Sequence, residues 1–91
     1  MEKVFDWDDA KNAKLREERG VSFEAVVSQI EQGELFAIVE GQGKYSHQRQ
    51  YVLVMDNYVY VVPFVESAEK IFLKTIMPSR KLTKRYLTGE L

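Results

Sequence analysis

His47 and Arg49 stand two residues apart, and in an extended strand that spacing places both side chains on the same side. His47 is the one group here that titrates near neutral pH without help. An arginine beside it would clamp a phosphate. Ribonucleolytic cleavage, in which a 2'-hydroxyl attacks the adjacent phosphodiester, needs one group to take a proton, one to return it, and cations for the charge that develops. Lys74, between Leu73 and Thr75-Ile76, is a second candidate for proton transfer; it equally well blunts a sheet edge against aggregation. Arg80, Lys81, Lys84 and Arg85 follow Pro78-Ser79 at the expected start of a helix, where peptide N–H groups add to the grip of an arginine on phosphate. Tyr86 either stacks on a base or packs its ring into the core with the hydroxyl at the edge. Each residue also has a plain structural reading: a solvated loop histidine, an edge lysine, a basic helix facing water.

Composition bounds these options. The 91 residues are 45% hydrophobic and 12% aromatic, which suits one small globular domain with a packed core. The absence of cysteine removes disulfides and thiolate chemistry, and a single histidine argues against zinc; no cofactor is expected. The strongly apolar stretch around Tyr58 to Val65 is too short to cross a bilayer and no secretory leader pattern opens the chain, so a soluble, cytoplasmic protein is expected. The net charge of −1 hides an asymmetry: from Lys70 onward six basic residues face Glu90 alone, leaving +5, while seven basic and thirteen acidic residues before it leave −6. A basic surface for phosphates or for an acidic partner follows.

The elements that must position these groups are readable in order. Lys3 to Trp7 suits a short strand, Asp8 and Asp9 favour the start of a helix over Ala10 to Arg19, and Gly20 stops it. Ser22 caps a second helix whose apolar residues Phe23, Val26, Val27 and Ile30 recur at helical spacing up to Gly33. Leu35 to Glu40 reads as a strand ending at Gly41-Gln42-Gly43. Gln48 to Met55 and Tyr58 to Val65 form a hairpin about Asp56-Asn57, with Met55 opposite Tyr58 and Arg49 opposite Phe64. After a turn at Glu66 to Glu69, a strand over Ile71 to Ile76 is halted by Pro78, and Ser79 caps a last helix to Leu87 before Gly89. Both faces of Tyr58 to Val65 are apolar, which predicts a central strand covered by the helix pair on one side and by the last helix, through Leu82 and Tyr86, or a partner on the other. The fold class is therefore α+β: an antiparallel sheet with an N-terminal helix pair on one face and a short C-terminal helix. Strand rise alone sets Arg49 and Arg80 on the order of 20 Å apart.

Taken together, Phe5, Trp7, Asp8 and Lys11 at the opening, Gly20-Val21-Ser22-Phe23 at the turn, and Arg49, Ser79, Arg80 and Tyr86 later on make the chain resemble the BrnT-like toxins of bacterial type II toxin-antitoxin systems, which have the RelE-type ribonuclease fold. Leu15 and Glu18-Arg19 stand where that family usually has an asparagine and a lysine-histidine pair. The resemblance implies a ribonuclease that cleaves RNA and halts translation, and the lack of a ligand cluster in the sequence makes metal-independent action the expectation. Residue type and family position together make Arg49 and Arg80 the phosphate-holding catalytic groups, with His47 or Lys74 in proton transfer, and put Lys11, Lys81, Lys84, Arg85 and Tyr86 on the RNA. The resemblance also implies a cognate antitoxin as partner, with operator DNA reached only through that antitoxin. The alternative is a noncatalytic interaction module or corepressor subunit.

Overall fold

The computed structural model describes residues 3–41 and 48–88. Strand β1 (Val4–Asp6) leads to helices α1 (Asp9–Arg19) and α2 (Phe23–Glu31); β2 (Ala37–Glu40), β3 (Arg49–Met55), β4 (Tyr58–Glu66), β5 (Lys70–Leu73) and β6 (Met77–Pro78) follow, and the single turn α3 (Arg80–Thr83) runs into a π-helical turn over Lys84–Thr88. The class is α+β, with the helix pair on one face of the sheet and the short last helix on the other.

Local chemistry sets the helix ends. Asp8 accepts from the Lys11 amide and Ser22 from the Ala25 amide, so each helix opens on a side-chain cap. Gly20 closes α1 in the left-handed region at φ 68°, where a residue with a Cβ is disfavoured. One buried polar group ties the pair together: the Asn12 side-chain oxygen accepts from the Phe23 amide at 2.8 Å, and its nitrogen donates to Glu24 at 2.7 Å.

The sheet order is β1-β5-β4-β3-β2, with β6 also pairing β4. Asp56 and Asn57 both take positive φ, 52° and 61°, and the hairpin pairs Met55 with Tyr58, Tyr51 with Val62 and Arg49 with Phe64, the register the sequence predicts. β4 is central. β1 pairs parallel to β5, which makes the sheet mixed rather than wholly antiparallel.

The strand expected over Ile71 to Ile76 is broken, and Pro63 explains where. Leu73 faces Phe64 while Met77 faces Val61, so Lys74 to Ile76 lie opposite only Val62 and Pro63, a one-residue bulge. The Pro63 carbonyl accepts from the Lys74 amide at 2.8 Å, and its nitrogen, which would point to the same side, has no proton to give. The ladder resumes only at Met77.

Two cores result. On the helix side Leu15, Phe23 and Val26 pack against Tyr51, Leu53, Val62, Phe64, Leu73 and Ile76, with Trp7 stacked on Phe23 at 5.7 Å. On the other side Val52, Val59 and Val61 are covered by Met77 and Leu82. The last helical run reaches the expected Leu87, but only its first turn is α-helical. The Thr83 hydroxyl donates to the Ser79 carbonyl and accepts from the Val59 amide, which pins α3 to the start of β4; one residue later the winding widens.

Candidate nucleic-acid interface

The basic C-terminal segment lies over the sheet face opposite the helix pair. Ser79 leaves β6, its amide donating to the Val59 carbonyl at 2.8 Å, and its hydroxyl caps the turn by accepting from the Leu82 amide at 3.2 Å. Leu82 then packs on Val52, Val59 and Val61. This brings the segment alongside β2 and β3, and between them is a groove of about 370 Å³. Its floor is Val52 and Val61, and Gln50, Lys81, Arg85 and Tyr86 stand on its walls; Glu40, paired with Arg49, borders it at the end of β2. The Tyr86 ring meets Phe36 edge-on at 4.7 Å, and the Arg85 guanidinium lies 5.9 Å from the Tyr86 ring centre. Two cations, an exposed ring and a floor of small apolar side chains can hold a phosphate and an adjoining base.

The candidate residues divide among three places. Lys81, Arg85 and Tyr86 line the groove; Arg80 and Lys84 are exposed on the same segment but outside its lining. Lys74 sits in the bulge with its ammonium 5.7 Å from the Phe72 ring centre. Phe72 pairs with Val65, and alternation along β4 puts Val65 on the side of Val61, so Lys74 shares the groove's face. The phosphate site expected at the last helix N-terminus is weaker than the sequence suggests. One α-turn carries little dipole, and the Leu82 and Thr83 amides already bond to the Ser79 hydroxyl and carbonyl.

Arg49 is elsewhere. It pairs with Phe64 on the helix side of the sheet, its guanidinium 5.6 Å from the Phe64 ring centre and 3.5 Å from Glu66. Lys3 donates to the same carboxylate at 2.6 Å, and this hydrogen bond, helped by the charge of Arg49, lowers the Glu66 pKa. Tyr51, stacked on Phe64 at 4.1 Å, has its phenol pKa raised by burial and by Glu66. Arg49 thus belongs to a compensated cluster and not to the groove, on the face away from the segment that carries Arg80, the residue with which the resemblance groups it. Strand alternation decides this: Arg49, Tyr51 and Leu53 point to the helices, Gln50 and Val52 away from them. Lys11 lies apart as well, on α1. His47 lies outside the described residues.

Two groove residues escaped the sequence reading. Gln50 is buried within an apolar strand and Glu40 ends β2, and neither stood out among the charged residues of the chain. The signal for Gln50 was present, because a polar side chain directly before the apolar run Tyr51 to Met55, in the same strand, calls for a polar neighbour once buried. Among the described residues no group of three or more His, Cys, Asp or Glu side chains converges to hold a metal, and no helix is long and apolar enough to cross a membrane. Compared with protein-family models, with curated proteins and with solved structures, the chain finds no match.

Proposed function

We propose that this chain is a cytoplasmic, metal-independent ribonuclease of the toxin class, held silent by a cognate antitoxin and meeting operator DNA only through it. The observation that carries the reading is the groove in which Lys81, Arg85 and Tyr86 converge beside Gln50 and Glu40. Lys81 and Arg85 neutralise the scissile phosphate, with Arg80 and Lys84 on the flanking nucleotides, and Tyr86 offers its ring to a base. Lys74, on the groove's face, supplies a proton to the leaving oxygen, and the attacking 2'-hydroxyl gives its own to solvent water. The resemblance in Ser79, Arg80 and Tyr86 supports the same segment.

The test is incubation of purified protein with total RNA in the presence of a chelator, repeated with Arg85→Ala after its fold is checked by circular dichroism. Cleavage by the parent and its loss in the variant are expected. Intact RNA with the parent sinks the enzyme reading.

A second reading, a noncatalytic protein-interaction module, is favoured by the outermost strand: Ile38 and Val39 of β2 and the preceding Phe36 are all exposed. Unpaired sheet edges with apolar side chains recruit partner strands. RNA left intact beside a tight complex with the product of the adjacent reading frame selects this reading.

A further inference from the structure

A hollow of about 420 Å³ lies on the helix side, between α1 and the β5–β6 bulge. Lys11, Lys14 and Arg19 enter it with Asp8, Glu18 and Thr75. Lys11, Lys14 and Glu18 share one helix face because residues three and four apart are neighbours there. The Arg19 guanidinium is fixed by a 2.7 Å hydrogen bond from Nη1 to the Ile76 carbonyl, which leaves its other N–H donors free of that contact. Neither lysine ammonium forms an ion pair or hydrogen bond with another described residue. This differs from Lys3, Arg49 and Lys70, each within 4.0 Å of a carboxylate.

Thr75 is the second, independent observation. Only 6% exposed, it makes no side-chain hydrogen bond to a described residue, and its hydroxyl oxygen is not sealed from solvent. It borders the hollow from the side opposite the lysines. Three cations against two carboxylates leave the lining one positive charge in excess, and one Asp8 oxygen is engaged by the Lys11 amide at the start of α1. Among the described residues no aromatic ring lines the hollow, which offers charge and a hydroxyl. Converging cations with a neutral donor match the several acceptor oxygens of a phosphate, and the volume admits a phosphate with an attached sugar.

We propose that this hollow is a phosphate-binding site, taking the phosphate of a nucleotide or of an RNA backbone on Lys11, Lys14, Arg19 and Thr75. It is separate from the groove and does not depend on cleavage there. The experiment is a titration followed by amide NMR at constant ionic strength, with inorganic phosphate, uridine monophosphate, uridine, and a short RNA lacking terminal phosphate. Phosphate and uridine monophosphate are expected to shift the Lys11, Lys14, Arg19 and Thr75 amides while uridine does not, and Lys14→Gln to weaken binding about tenfold, the value of one charge-assisted contact. Shifts with the short RNA at the same amides identify the backbone as the source; shifts with the mononucleotide alone identify a terminal phosphate. The proposal is overturned if sodium chloride alone reproduces the shifts, or if Lys14→Gln binds phosphate as the parent does. Thr75→Val, which keeps shape and removes the hydroxyl, is expected to weaken binding too; should it fail to fold, Lys14→Gln decides. Total-RNA cleavage by the Arg85→Ala pair is read separately, so failure here leaves the ribonuclease reading standing.

Discussion

The two faces of one sheet are used in opposite ways. On the helix side the residues from Leu15 to Ile76 close into one apolar cluster with stacked rings, and the cation at its rim, Arg49, is paired with Glu66. On the other side three valines, Val52, Val59 and Val61, lie under a single helical turn, and the cations beside them, Lys81 and Arg85, form no ion pair with a described residue. A chain this short has few apolar residues to distribute, and burying one face well leaves the other partly open. Positive charge left unpaired on the open face remains available for a phosphate, whereas Arg49, over the stacked rings of the closed face, is already satisfied by Glu66.

The largest expected effect tests that difference in packing. Phe23 is fully buried, stacked on Trp7 and seated between the helix pair and the sheet; Phe23→Ala is expected to cost about 3–5 kcal/mol. Leu82, half-buried over the valines, should cost under about 2 kcal/mol on the same change, since only part of its surface leaves water. Urea denaturation gives both values from the midpoint shift at constant slope. Equal losses would mean that the two faces contribute alike and would break the contrast.

Asn12 sharpens it. Its side chain is the polar bridge inside the closed face, and Asn12→Ala strands the buried Phe23 amide; the expected loss is about 1–3 kcal/mol. A loss near zero by the same denaturation measurement would show that water replaces the bridge and that the closed face is less sealed than its burial suggests.

Asn12 also marks where a sequence stops being informative. Caps and turns are set by neighbours in the chain, so Asp8, Ser22, Ser79, Gly20 and Asp56-Asn57 all act as their types predict, and the hairpin register follows from its turn. An asparagine mid-helix gives no hint of which distant amide it serves. The parallel pairing of β1 with β5 joins residues more than sixty positions apart, and nothing local specifies it. Pro63 was visible, yet its effect falls on the neighbouring strand, where the bulge displaces Lys74 and realigns the approach to Ser79. For the candidate site, alternation was enough to place Arg49 on the face of Phe64. Gathering Lys81, Arg85 and Tyr86 against Gln50 needed the bulge and the α3 anchor, which are tertiary.

The smallest expected effect concerns the compensated charges of the closed face. The Lys3 hydrogen bond lowers the Glu66 pKa from its ordinary value of 4.5, and the Asn12 hydrogen bond does the same for Glu24. A carboxyl whose pKa is depressed by folding binds its proton less readily in the folded chain than in the unfolded one. Between the two values the unfolded chain therefore holds more protons, and stability rises with pH. Both contributions are complete above the unfolded value of 4.5 and are lost as pH falls through the depressed folded values. Because Glu66 is solvent-exposed, screening keeps its share small. Melting temperatures measured from pH 3 to 7 should fall less steeply on the acid side for Lys3→Gln than for the parent, while Lys81→Gln, on the open face, should follow the parent curve. A matching change in Lys81→Gln would place acid-sensitive pairing on the open face too, and Lys81 would no longer count as a cation free for phosphate.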